Sequence, residues 1–199
     1  MLDKIINLLF PFYDRAFRID EEKKQIRFDM RHLKEELSTE EKENEAAKVF
    51  QRIEKMPEFI EANTILIYWS TTDELPTHNF IQKYCNQKLI ILPSINADKL
   101  VLKRFSSDVT MVQRALGIWE PDLLEIYSGK IDLVIVPGVA FDSKKNRLGR
   151  GKGYYDRFFR RNKTLKIGVG FDFQLINKVP INRNDMRMDR IVTPSKTIE

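Results

Sequence analysis

The 199-residue chain predicts an α/β fold. The expected form is a single three-layer α/β/α domain with a mostly parallel central sheet. Three observations predict it. Short continuous apolar runs recur at Thr64–Trp69 (TILIYW), Leu89–Pro93 (LIILP) and Leu133–Val136 (LVIV), and strands buried on both faces read as such runs. Segments of helical period are interspersed with them. The length suits one domain, since domains commonly run roughly 100–200 residues, and a chain of this size buries about 70% of its unfolded surface.

The elements follow in order. Met1–Arg18 reads as a short amphipathic helix interrupted near Pro11, an extension over residues 1–19 ahead of a domain over 20–199. Asp20–Leu37 carries Ile26, Met30, Leu33 and Leu37 at helical spacing. Ser38 with Glu41 forms a capping-box pattern that starts a second helix running to about Met56, and Pro57 is expected to end it. TILIYW is the first buried strand. Thr77–Asn86 reads as a helix with Thr77 as N-cap. LIILP is the second strand, and the alternating Leu100–Phe105 (LVLKRF) is half-exposed. LVIV ends at Pro137-Gly138, Tyr154–Arg161 is helical, and Lys166–Gly170 and Arg190–Thr193 are late strands. In such sheets ligands sit at the carboxyl ends of the strands, so the loop beginning Pro137-Gly138 is a natural place for chemistry.

Composition narrows the function classes. Hydrophobic residues make up 42% and charged residues 32%, ordinary for a soluble globular protein. No apolar run approaches the roughly 20 residues of a membrane span, so no membrane partner is expected. Met1–Arg18 has acids at Asp3 and Asp14 and no small-residue cleavage site, which argues against a secretory signal. Cys85 is the only cysteine, so no intrachain disulfide forms; it reads as a buried structural thiol, and a cytoplasmic location is expected. His32 and His78, with one cysteine and no paired spacing, do not suggest a zinc site. The net charge is +5, which suits an anionic partner. It is local: between Lys144 and Lys163 stand nine Lys or Arg and one acid, Asp156.

That stretch holds Arg147–Asp156 (RLGRGKGYYD). Gly149, Gly151 and Gly153 let a ligand approach backbone N–H groups. The helix proposed from Tyr154 turns its positive end toward the loop. Arg147, Arg150 and Lys152 add forked and point-charge donors. Together they describe a polyphosphate cradle. It is not a Walker A loop, because position 146 is asparagine and Gly153 follows Lys152. It is not the dinucleotide fingerprint, because Tyr154 stands where the third glycine belongs.

The segment Asn146–Arg157 (NRLGRGKGYYDR), with the upstream Pro137-Gly138-Val-Ala-Phe-Asp142, resembles the nucleotide-binding loop of the 5-formyltetrahydrofolate cyclo-ligase family. The resemblance covers roughly residues 20–195 and implies an enzyme of folate one-carbon metabolism. Its implied reaction closes 5-formyltetrahydrofolate to 5,10-methenyltetrahydrofolate, with ATP as co-substrate cleaved to ADP and phosphate and with Mg²⁺ as metal. It implies that Lys23, Arg27, Arg147, Leu148, Gly149, Arg150, Gly151, Lys152, Gly153, Tyr154 and Tyr155 hold ATP. Trp69 and Glu74, with Arg150, Gly151, Lys152, Gly153 and Tyr154, are the implied folate contacts. Arg150 and Lys152 are the implied catalytic residues. Asp156 and Asp189, the latter in VPINRNDMRMDRIV, are the implied Mg²⁺ ligands. Asp172-Phe173-Gln174 is placed like a pterin-side loop. The first twenty residues have no counterpart in the resemblance, and Trp69 stands where smaller apolar residues also occur. Small-molecule substrates and a monomer are expected.

Two other classes compete. Tyr154, Tyr155, Phe158 and Phe159 beside basic residues suit a non-catalytic RNA-binding module, whose binding would weaken steeply with salt. The same fold with another substrate, such as a sugar-phosphate isomerase, is the second. No nucleic-acid partner is expected on balance.

Overall fold

A computed structural model describes residues 11–96, 99–114, 117 and 119–199, with side chains from Phe17 onward. The part of the expected amino-terminal helix before Pro11 lies outside the described residues. Helix α1 (Pro11–Glu35) runs uninterrupted through positions 19 and 20. Ser38 caps α2 (Thr39–Ile53): its Oγ accepts from Glu41 N at 3.2 Å, and Glu41 Oε2 accepts from Ser38 N at 2.8 Å. That helix stops before Pro57, as expected, and Pro57 also opens the short α3 (Pro57–Glu61). Its fixed φ suits a first helical turn, and its missing N–H goes unused there.

The chain then alternates strand and helix. β1 (Thr64–Ile67) is followed by α4 (His78–Tyr84), β2 (Leu89–Asn96) and β3 (Lys99–Phe105). A hairpin of β4 (Met111–Gln113) and β5 (Trp119–Pro121) precedes β6 (Leu133–Pro137). β7 (Ala140–Asp142) and β8 (Arg147–Leu148) form a small sheet with the later β10 (Leu175–Ile176). Helix α5 (Tyr154–Arg161) leads to β9 (Leu165–Val169), and β11 (Arg190–Val192) and β12 (Thr197–Ile198) close the chain. The short strands β4, β5, β7, β8, β10 and β12 were not anticipated. Each is two or three residues long, too brief to show a period.

Seven strands form the central sheet in the order β12-β11-β9-β6-β1-β2-β3. The inner five are parallel, and β3 and β12 pair antiparallel at the two edges. The chain builds outward from β1 through β2, then returns to the other side of β1 with β6. This places the reversal of strand order between β1 and β6. Such a switch point opens a crevice at the strands' carboxyl ends.

Alternate residues of each strand feed the two faces. Ile65, Ile67, Leu133 and Ile135 pack under Val49, Phe50 and Ile53 of α2, Phe59 of α3 and Phe80 and Ile81 of α4. Leu66, Val134, Val136 and Ile191 pack under Phe159 of α5, Phe141 and Met188. Both faces are covered by apolar side chains, as continuous apolar strands require. Helix α1 is set apart: its Met30 and Ile26 pack on Val139, Ala140, Leu148 and Val179. That contact lays α1 beside the loop after β6. Cys85 is half-buried at the edge of the core rather than enclosed. Among the described residues no helix is long and apolar enough to cross a membrane.

Thr77 stands at the N-cap of α4 but its side chain does not cap the helix. Its Oγ1 donates to Tyr68 O at 2.8 Å and accepts from Ser70 N at 3.1 Å, while Thr77 N donates to Ser70 Oγ. The hydroxyl fixes the segment leaving β1 instead, which matters because that segment forms one wall of the crevice.

Candidate active site

A cleft of about 640 Å³ opens at the carboxyl ends of β1 and β6, at the switch point. Its floor is the Pro137-Gly138 turn, and its walls are α1, the segment after β1, and the glycine loop with the start of α5. The floor is locked from behind. Gln174 Nε2 donates to Gly138 O at 2.7 Å and Val139 O at 2.8 Å, and its Oε1 accepts from Phe171 N. Asp172 accepts from Ser195, and Phe173 stacks on Phe171. Residues 172–174, expected as a pterin-side loop, therefore brace the floor from behind and are absent from the cleft lining.

The glycine loop is a built structure. Buried Asp142 accepts from the backbone N–H groups of Lys144, Asn146 and Val179 and from Asn146 Nδ2. These bonds hold its carboxyl below the usual carboxylate range against the opposing effect of burial. Asn146 Oδ1 in turn accepts from Arg187 Nε at 3.0 Å, tying the loop to the closing motif. Gly151 and Gly153 have φ of +104° and +65°, a region that strains residues with a side chain. Gly153 is the N-cap of α5 and offers no capping side chain. The first N–H groups of α5 thus face the loop as free donors, the arrangement that receives anions.

Cations are arrayed along two sides. Arg27 Nε donates to Gly149 O at 2.9 Å; burial lowers the pKa of its guanidinium, against the opposing charges of Asp20 and Asp185. Lys23 is buried and paired with Asp185. Arg147 is buried; it donates to Pro137 O and, at 3.1 Å, to Asp156 Oδ2, and it lies over the Tyr155 ring. Tyr155 has its hydroxyl buried without a partner among the described residues, and burial raises its pKa. Arg150 crosses the cleft to Thr71 Oγ1 at 2.7 Å, Asp73 Oδ1 at 2.6 Å and Glu74 Oε1 at 3.1 Å. Burial opposes its charge, but Glu74 and Asp73 outweigh that and hold it above the usual value. Lys152 is exposed on the loop, and its ammonium makes no hydrogen bond or ion pair among the described residues.

Every residue expected to contact ATP or folate lines this one cleft. Trp69 lies in its wall against His78 and Phe105, with ring centroids 4.3 and 5.4 Å away. Glu74 Oε2 accepts from Thr71 N at 3.0 Å, so its carboxylate is fixed at the rim.

Asp189 is the exception. It immediately precedes β11, at the amino end of the parallel strands, and its carboxylate accepts from Lys166 N and Nζ, each at 2.7 Å. It does not line the cleft. The acid of the closing motif that does is Asp185, four residues earlier. Met186 N donates to Asp156 Oδ1 at 3.0 Å, which brings the Asp185 and Asp156 segments together. The cleft thus brings Asp156 together with Asp185, not with Asp189 as expected. Sequence reasoning also missed Lys34. It lies seven residues beyond Arg27 on α1, and its i, i+4, i+11 spacing from Lys23 puts all three on one face.

Two carboxylates on one wall suit Mg²⁺, which commonly takes one or two carboxylates and fills its remaining positions with phosphate oxygens and water. Asp156 Oδ1 and Oδ2 each keep a lone pair beyond a single partner, and Asp185 accepts from both Lys23 Nζ and Asn182 N on Oδ2, which leaves its Oδ1 for a metal. Among the described residues no cluster of three or more acidic, histidine or cysteine side chains forms an all-protein cage.

Comparison with known proteins places the chain in a family. An Escherichia coli 5-formyltetrahydrofolate cyclo-ligase is 30% identical over 182 residues, covering 85% of this chain and 99% of the relative. The Haemophilus influenzae 5-formyltetrahydrofolate cyclo-ligase is 30% identical over 176 residues, with 83% and 94% covered. The solved structure of Aquifex aeolicus 5,10-methenyltetrahydrofolate synthetase superposes with a TM-score of 0.80 at 33% identity, over 88% of this chain and 91% of that one. The sequence model of the family matches residues 19–194, and the chain belongs to the 5-formyltetrahydrofolate cyclo-ligase family.

Proposed function

We propose that the chain is a cyclo-ligase that converts 5-formyltetrahydrofolate to 5,10-methenyltetrahydrofolate, with ATP cleaved to ADP and phosphate. One observation carries the reading: a glycine loop at a helix start, a row of cations and two carboxylates meet a half-aromatic wall inside one cleft at the sheet's switch point. The cationic side fits a triphosphate, and the Trp69–Glu74 side fits a pterin.

The formyl group on N5 is a poor electrophile, because the nitrogen shares electrons with the carbonyl. Its oxygen attacks the γ-phosphorus and ADP leaves. N10 attacks the formyl carbon, phosphate departs with that oxygen, and the N10 proton is lost as the ring closes. The protein's part is positioning and charge neutralisation. The free N–H groups of α5 and the Lys152 ammonium hold the transferring phosphoryl group. Arg27 and Arg147 keep the loop in shape around it. Arg150, drawn between Glu74 and Asp73, links the two halves, so it senses both substrates. Mg²⁺, when bound, neutralises charge on the phosphate oxygens. Asp156 and Asp185 would hold it, and Lys23 sits beside Asp185 to balance the pair.

A stacking surface for RNA finds less support. Phe159 and the Tyr155 hydroxyl are buried, and Phe158 packs against the core beneath the helix. We read the protein as a cytoplasmic monomer, with residues 1–19 an extension ahead of the domain.

Incubating purified protein with 5-formyltetrahydrofolate, ATP and Mg²⁺ is expected to generate the methenyl absorbance. Omitting either ATP or Mg²⁺ is expected to abolish it. Equal rates without nucleotide would overturn the reading. Asp185→Asn is expected to raise the half-saturating Mg²⁺ concentration by about tenfold or more, consistent with loss of a charged ligand, and Asp189→Asn is expected to leave the Mg²⁺ titration unchanged. The reverse pattern would return Asp189 to the metal site.

A further inference from the structure

Lys34 lies in the last turn of α1 and is only 4% exposed, yet it lines the cleft. Its ammonium has no hydrogen bond and no ion pair among the described residues. The nearby carboxylates are committed elsewhere: Asp73 to Thr71 and Arg150, and Glu74 to Thr71 and Arg150. A lysine this deeply buried with no carboxylate pairing its three donors is a costly arrangement. The carbonyl ends of α1 offset part of the charge, and Asp73 and Glu74 oppose the loss of its proton that burial favours. None of these groups bonds it. The fold keeps a largely buried lysine whose ammonium opens to the cleft with its donors unspent, at the Glu74 end.

We propose that Lys34 is a substrate-binding residue whose ammonium donates to the C4 carbonyl oxygen of the pterin ring, beside Glu74. This rests on the folate reading of the cleft. The pyrimidinone edge of a pterin presents two donors, the 2-amino group and N3–H, followed by one acceptor, the C4 oxygen. A carboxylate matches the donors and an adjacent cation matches the acceptor. Glu74 and Lys34 supply that complement from opposite walls, the segment after β1 and the end of α1. The pair would distinguish a 4-oxo pterin from a 4-amino one, because the amino group turns a donor toward the ammonium and leaves it unpaired. Sites that hydrogen-bond a substrate group discriminate strongly against analogues that cannot answer it.

The test compares wild type with Lys34→Met, which keeps length and removes charge, and Lys34→Gln. Binding of 5-formyltetrahydrofolate and of a 4-amino-4-deoxy folate analogue is measured by calorimetry, and ATP affinity is measured in parallel. Wild type is expected to favour the 4-oxo compound, and Lys34→Met to weaken its binding about tenfold or more, lower the preference toward unity, and leave ATP affinity within about twofold. Because the fold does not spend this ammonium, Lys34→Met is also expected to melt no lower than wild type. Unchanged 4-oxo preference in both variants would overturn the proposal, as would a large loss of stability in both. Failure of wild type to bind 5-formyltetrahydrofolate would instead overturn the folate reading itself.

Discussion

Lys152→Ala is expected to slow ring closure by about 10²–10³-fold, the scale typical of losing one preorganised donor to developing charge. The same change is expected to leave the melting temperature where it was. Both halves follow from position. Lys152 is exposed between two glycines of positive φ, and its ammonium makes no hydrogen bond or ion pair among the described residues. An exposed, uncommitted side chain adds little to stability. Its value lies in what it meets during the reaction, a phosphoryl group passing from one oxygen to another at the start of α5. Lys152→Arg retains the charge in a wider, planar head and is expected to recover part of the rate. A rate for Lys152→Ala within about twofold of wild type would remove it from the transfer step.

Asp156→Ala is expected to damage both fold and activity. The side chains of Arg147 and Asp156 are 4% and 13% exposed, and they pair at 3.1 Å. Arg147 Nε is already buried without a partner among the described residues. Removing Asp156 strands a buried guanidinium, and breaking such a pair from one side costs about 3–5 kcal/mol. It also frees Met186 N, which Asp156 Oδ1 holds, so Asp185 loses its anchor next door. The structural and chemical parts separate in the double variant Arg147→Met/Asp156→Ala. Removing both charges is expected to restore most of the stability in denaturant unfolding, while ring closure stays lost. A double variant that regained activity would show that Asp156 serves only to neutralise Arg147.

Much of the fold was legible because it rests on strong local signals. The runs TILIYW, LIILP and LVIV became the central strands β1, β2 and β6. The Ser38–Glu41 box formed as a reciprocal pair, and α5 spans Tyr154–Arg161 as its pattern indicated. Pro57 marked the end of α2 but not the start of α3, because proline both ends and begins helices and only the path of the chain shows the second role. Thr77 misled because a hydroxyl at a helix start serves whichever donor or acceptor tertiary packing offers. The same limit governs the site. NRLGRGKGYYDR announced an anion loop through glycine and charge. The choice between Asp185 and Asp189 depended on which end of the sheet each reaches. Asp189 borders β11 at its amino end, whereas Asp185 belongs to the loop that crosses toward the cleft. Lys34 was hidden by its residue type, since a lysine on a helix usually marks a solvated face. Its 4% exposure is a property of the assembled cleft.

The most direct measurement follows one oxygen atom. With ¹⁸O in the formyl group of 5-formyltetrahydrofolate, phosphorylation of that oxygen carries the label into inorganic phosphate as the methenyl ring closes. One labelled phosphate and one ADP per methenyl product is the expected outcome, detected by the isotope shift in the phosphorus NMR spectrum. Methenyl product accompanied by unlabelled phosphate would contradict phosphoryl transfer to the formyl oxygen in this cleft.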